Sequence, residues 1–199
     1  MTEPRQSSRR STVLIAAAIA LLVIVAGVVG AATWRARSDS PAQPTPAATE
    51  TSRPSPSPTP EQEAADKALA AYNNYREAQV AAFATAEPTG GDLSKYVADP
   101  LLGELQYDLR QKRDQGLIVT GRPVWKPRVT KVNVTSRPFT VQIEDCFDAT
   151  NWNTVYKATG KSAAVPGQNK KYVVTAEAAL YDDGRWLIRS AKAERERPC

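Results

Sequence analysis

Hydrophobic residues recur at helical spacing at the start of the chain's C-terminal part. Over residues 60–85 one stripe contains six apolar positions and one amide: Ala65, Ala68, Leu69, Tyr72, Tyr75, Gln79 and Phe83. The stripe follows a helix-start signature, with Thr59 as the cap, Pro60 at the first position and Gln62 as the reciprocal amide. This pattern predicts a long amphipathic helix that ends before the turn residues at 87–92.

A second helix is predicted over residues 100–115, and beyond it the apolar residues alternate with polar ones as they do in strands. The strand candidates are residues 128–136, 139–147, 151–158 and a hairpin over 171–196 whose tight turn is Asp183–Gly184. In the first candidate, alternation places Thr130, Val132 and Val134 on one face. The order of elements predicts an α+β domain over residues 60–199, with two to three helices packed on a curved antiparallel sheet.

The N-terminal pattern is different, because residues 13–33 form an apolar run of 21 residues without a charge. A helix of this length crosses the hydrocarbon core of a bilayer. We expect a transmembrane helix over residues 13–34, with residues 1–12 in the cytoplasm by the positive-inside rule. A cleaved signal peptide is the alternative. Residues 35–59 are rich in Pro, Ser and Thr and are expected to be a disordered linker.

Charge narrows the choice of partners. The chain carries a net charge of +5, but residues 61–199 contain 20 basic and 18 acidic residues and are nearly neutral. A nearly neutral domain lacks the electrostatic footprint of nucleic-acid binding. The sequence has no histidine, and it has no phosphate-binding glycine loop or metal-ligand cluster. We therefore expect no nucleic acid, metal or cofactor.

The two cysteines lie far apart, at Cys146 within a predicted strand and at Cys199 at the chain terminus. Because the anchor predicts an oxidising compartment, we expect a disulfide between them. Such a bridge would attach the last residues to a neighbouring strand. Two free thiols are the alternative.

Asp145 is the most notable polar residue, since alternation places its carboxylate on the same strand face as Phe139, Val141, Ile143 and Phe147. One hypothesis is a buried base with a raised pKa. The alternative is a structural acid, bonded to the 148–152 turn or paired with an arginine. The candidate pocket residues are Tyr72, Tyr75, Gln79, Asp145 and Trp186. Trp125 and Trp152 could also stack on a ring, although core packing is the commoner role.

The order of helices followed by a sheet, with the segment "EDCFDATNW", the "DGRW" hairpin and a final cysteine, resembles the nuclear transport factor two-like fold (ketosteroid isomerase and SnoaL-like proteins). The chain is also similar to exported proteins of actinobacteria. The resemblance implies a cone-shaped domain over residues 60–199 that forms dimers in some members. It leaves activity open, because this fold hosts both enzymes and inert scaffolds.

Together these observations predict a membrane-tethered module on the outer side of a bacterial cell envelope. We expect non-catalytic binding or assembly, with a homodimer or an envelope protein as partner and a small-molecule ligand whose identity the sequence leaves open. The alternatives are an isomerase or dehydratase that uses Asp145, and a cleaved secreted protein of the same fold.

Overall fold

The computed structural model describes residues 57–199, so the predicted cytoplasmic segment, the membrane anchor and most of the linker lie outside the described residues. Three helices come first: α1 (Pro60–Thr85), α2 (Leu93–Tyr96) and α3 (Leu101–Asp114). Six strands follow: β1 (Leu117–Gly121), β2 (Pro127–Asn133), β3 (Thr140–Asp148), β4 (Trp152–Tyr156), β5 (Lys171–Leu180) and β6 (Trp186–Glu194). Within residues 57–199, no helix combines the length and the apolar character that a membrane crossing requires.

The helix-start prediction is confirmed at α1. The Thr59 hydroxyl accepts from the backbone N–H of Gln62, and the Gln62 side chain accepts from the backbone N–H of Thr59 at 2.8 Å. The two bonds satisfy donors that the first turn of a helix leaves unpaired. The helix ends at Ala86, which adopts a left-handed conformation with φ 53° and donates its N–H to Ala82.

The six strands form two antiparallel sheets. The larger has the order β2-β3-β5-β6, and β1 pairs with β4 in a separate ribbon. Helix α1 packs against both. The prediction of an α+β domain with helices on antiparallel strands is confirmed. The sequence pattern did not identify β1, and it gave no indication that the strand at 151–158 belongs to a second sheet.

The predicted face of β2 is wrong at one position. The register between β2 and β3 shifts between Val129 and Lys131, so Thr130 is an extra residue in the ladder. Thr130 is exposed, whereas Val129 and Val132 pack against the core. A bulge of this kind reverses the alternation beyond it, and a strict period of two cannot anticipate that reversal.

The predicted disulfide is confirmed. Cys146 on β3 bonds to Cys199, and their Cα atoms are 5.7 Å apart. The tail that leads to this bridge is also held by its backbone, because Val173 on β5 donates its N–H to the carbonyl of Arg197 at 2.9 Å. Residues 197–199 are thereby fixed to β3 and β5, the two inner strands of the larger sheet.

Candidate functional site

A polar cluster lies in the core between α1 and β3. It contains Tyr72, Tyr75, Arg76, Gln79 and Asp145, and all five are buried. The Tyr72 hydroxyl donates to Asp145 Oδ2 at 2.8 Å, and Arg76 Nη2 lies 3.4 Å from the same oxygen. Asp145 Oδ1 accepts from the backbone N–H of Lys126 at 2.6 Å. Both carboxylate oxygens therefore have protein partners.

Arg76 is the centre of the cluster. Its guanidinium makes five donor contacts: to Tyr72 through Nε and Nη2, to Tyr75 and Gln79 through Nη1, and to Asp145 through Nη2. It also lies over the rings of Tyr72, Tyr75 and Phe147, with centroid distances of 4.9, 5.0 and 4.5 Å. A buried charge needs compensation of this kind to remain ionised.

The helix period explains why these side chains meet. Positions 72, 76 and 79 are three or four residues apart, so they lie on one face of α1. Asp145 is fully buried because β3 alternates strictly between core and outer positions. The paired-arginine alternative for Asp145 thus describes its observed contacts. The sequence analysis missed Arg76, although its spacing from Tyr72 and Gln79 already placed it in the apolar stripe.

Burial sets the ionisation of the cluster. It raises the pKa of Tyr72 well above its ordinary value, against an opposing effect of Arg76, and it raises the pKa of Tyr75 in the same way. For Arg76, burial acts to lower the pKa, but Tyr75, Tyr72 and Asp145 outweigh it and the net shift is upward. The phenols therefore stay neutral hydrogen-bond donors and the guanidinium stays charged.

A cavity of about 540 Å³ adjoins the cluster, bounded by α1, α3, both sheets and the loop at 163–168. Tyr75, Arg76 and Gln79 form its polar end. Its other walls combine charged and polar side chains with apolar and aromatic ones, among them Phe83, Leu105, Val119, Phe147, Trp152 and Tyr172. Trp152 packs against Phe83 and Phe147 with centroid distances of 5.9 and 5.7 Å. This volume lies in the range of small-molecule sites.

The polar groups of the cavity wall include both donors and acceptors: Gln79, Lys170 and Arg195 carry N–H donors, whereas Glu104 and Asp108 carry carboxylates. The Oε1 atom of Gln79 accepts from Arg76 Nη1 at 2.9 Å, and a hydrogen bond from the Gln79 side chain acts to lower the pKa of Tyr75. Tyr75 offers its hydroxyl hydrogen. The buried indole Nε1 of Trp152 has no hydrogen-bond partner within residues 57–199. That nitrogen is out of contact with solvent, so it lies within the packing behind the cavity surface.

The structure separates the predicted pocket residues. Tyr75 and Gln79 line the cavity, whereas Tyr72 and Asp145 lie behind Arg76 and do not. Trp186 begins β6, pairs with Leu180 and packs against the main core, away from this cavity. Among the described residues, no group of three or more cysteine, aspartate or glutamate side chains is placed to hold a metal ion.

Comparisons with known proteins leave the family open. No protein-family model matches the chain, and no curated protein does. Among solved structures, the intermembrane space region of the chloroplast protein ARC6 is similar to this chain at 15% identity and a TM-score of 0.40. The match covers 65% of this chain and 95% of that one. A likeness this weak carries no argument about fold or function.

Proposed function

We propose that residues 60–199 form a non-catalytic module that binds a small molecule in the cavity between α1, α3 and the two sheets. The observation that carries the proposal is the cavity itself, which has a volume of about 540 Å³ and an aromatic wall formed by Phe83, Phe147 and Trp152. Gln79 and Tyr75 add polar groups at one end of the same cavity. A ligand with an apolar body and an acceptor oxygen satisfies both features.

The contacts of Asp145 favour binding over catalysis. A general base must come within hydrogen-bond distance of the proton that it removes. The Asp145 carboxylate is fully buried, and its two oxygens already contact Tyr72, Arg76 and the Lys126 N–H. The isomerase or dehydratase alternative requires this carboxylate to reach a substrate from behind Arg76. We therefore do not adopt it.

We further propose that the module belongs to the nuclear transport factor two-like fold and is held outside a bacterial membrane by an anchor at residues 13–34 and a linker at 35–59. The fold assignment is supported by the order of helices followed by antiparallel strands. The location is supported by the uncharged run at 13–33 and by the Cys146–Cys199 disulfide, which persists in oxidising compartments. A homodimer or an envelope protein remains the proposed macromolecular partner.

The test is a calorimetric titration of the full chain in phosphatidylcholine nanodiscs, with empty nanodiscs as the blank. The probe is 2-naphthamide, which has a flat apolar body and a carbonyl acceptor. Ala163→Trp places an indole in the cavity wall, and Ala158→Trp adds the same group to an exposed position outside that wall. We expect saturable binding by the parent chain and by Ala158→Trp, and its loss in Ala163→Trp. Equal binding by both variants, or no binding at all, would reject the proposal.

A further inference from the structure

We propose that the cavity selects an amphipathic anion: a flat apolar body that carries a carboxylate or sulfonate, whose charge is held by Lys170 and Arg195 at the cavity edge. The inference rests on the proposed binding function and adds the chemical class of the ligand. The inference depends on these two cations, which lie at the cavity edge and make no contact with the Arg76–Asp145 cluster.

Lys170 immediately precedes β5, and Arg195 immediately follows β6. Because these strands are antiparallel, both residues lie at the same end of the pair, where they line the cavity. Asn169 joins them, because it precedes Lys170 in the chain and its Nδ2 donates to the Arg195 carbonyl at 2.8 Å. The Arg195 guanidinium lies 4.4 Å from the centroid of Tyr172 and donates to the Asn169 carbonyl at 3.2 Å. The Lys170 ammonium contacts the neutral Asn153 Oδ1 at 3.4 Å.

These two cations differ from the other cations of the cavity wall in their pairing. Arg76 is compensated by Asp145, and Lys112 lies 3.3 Å from Asp108. Within residues 57–199, neither Lys170 nor Arg195 has a carboxylate within 4.0 Å. Besides Asp108, the cavity wall contains one other carboxylate, that of Glu104. This residue lies on α3 and not at the end of β5 and β6. That end is therefore left with a local positive charge.

The position of the ligand's acidic group follows from which hydrogen-bond donors of the cavity wall are already engaged within the protein. An acid that entered the polar end of the cavity would meet Arg76, whose donor groups are all engaged within the cluster. Lys170 and Arg195 retain donors and are close enough to solvent to accept a charged group without full desolvation. The ligand thus points its acid to the edge and its apolar body toward the aromatic wall.

The test compares 2-naphthoate with 2-naphthamide, which share one ring system and differ in charge. The full chain in phosphatidylcholine nanodiscs is titrated at low and high salt. An exposed charge pair contributes a factor of up to about five in affinity, so two such pairs predict a preference of up to about 25-fold for naphthoate at low salt. The preference should shrink as salt screens the charges. In Lys170→Gln/Arg195→Gln the preference for naphthoate over naphthamide should be lost.

The matched control is Lys157→Gln/Lys161→Gln, which removes the same net charge from exposed positions outside the cavity wall and should keep the preference. Equal binding of the two probes by the parent chain would overturn this inference and leave the proposed function standing. If neither probe binds, the proposed function fails first. Adding phosphatidylglycerol to the nanodiscs distinguishes two sources of the anion: competition with naphthoate assigns the site to a lipid acid, and unchanged binding assigns it to a soluble one.

Discussion

The buried ion pair between Arg76 and Asp145 gives the sharpest test of how the core is held together. Asp145→Asn keeps the shape of the side chain and removes its charge, so the Arg76 guanidinium remains buried beside a neutral amide. Arg76 is 4% exposed and Asp145 0%. Removing one partner of a buried pair typically lowers the free energy of unfolding by about 3–5 kcal/mol, because the other charge is left uncompensated. We expect Asp145→Asn to fall in this range.

The companion variant is Arg76→Met combined with Asp145→Asn. The double variant should lose less free energy of unfolding than the sum of the losses in Arg76→Met and Asp145→Asn, because it retains neither of the two buried charges. The assay is urea unfolding of the full chain in nanodiscs, followed by tryptophan fluorescence. Glu77→Gln is the control, since Glu77 and Arg122 form an ion pair with side chains about half exposed, for which we expect a loss of less than about 1 kcal/mol. Two results would refute the reasoning. One is an Asp145→Asn variant that loses no more free energy of unfolding than Glu77→Gln, and the other is a double variant whose loss equals the sum of the two single losses.

Three further predictions concern the disulfide, acid stability and the cavity wall. Replacing both cysteines with serine opens a bridge that spans a sequence separation of 53; the chain-entropy relation predicts a loss of about 4 kcal/mol in the free energy of unfolding, and an unchanged urea midpoint would contradict it. Hydrogen bonds from Arg197 and Arg128 lower the pKa of Glu144 below its ordinary 4.5. The contribution of Glu144 to the free energy of unfolding should therefore be complete above pH 4.5 and be lost as the pH falls through the lower pKa of the folded state. Glu144→Gln should consequently lose less stability than the parent chain on acidification. Trp152→Leu should weaken 2-naphthamide binding by about 2- to 10-fold, the contribution of one aromatic contact, and an unchanged calorimetric affinity would show that the indole ring does not contact the ligand.

Local features of this chain could be predicted from the sequence because each depends on residues close together. Thr59, Pro60 and Gln62 specify the start of α1 within a single turn, and the capping bonds form as expected. Asp183–Gly184 specifies the hairpin between β5 and β6, where Gly184 has φ 82°. The disulfide needed one further premise, an oxidising compartment, and with that premise two cysteines allow one intramolecular pairing.

The features that could not be predicted depend on contacts between distant segments. The segment at 117–121 is short, and it is a strand because it pairs with β4 about thirty-five residues later. Nothing local in the sequence marks the extra residue at Thr130. Arg76 was overlooked because a charged residue on a helix is normally solvated, and its burial depends on an acid 69 residues away.

The core cluster and the cavity are linked through Arg76. The guanidinium donates to the amide oxygen of Gln79 and thereby fixes the orientation of that amide. It also lies against the rings of Tyr75 and Phe147, two further residues of the cavity wall. Asp145 balances the charge from the far side and is itself fixed by Tyr72 and by the Lys126 N–H. The ion pair therefore acts on a ligand indirectly, by fixing the orientation of donors that would otherwise have alternative partners. A conservative change at Asp145 should for this reason weaken 2-naphthamide binding even under conditions where the domain stays folded.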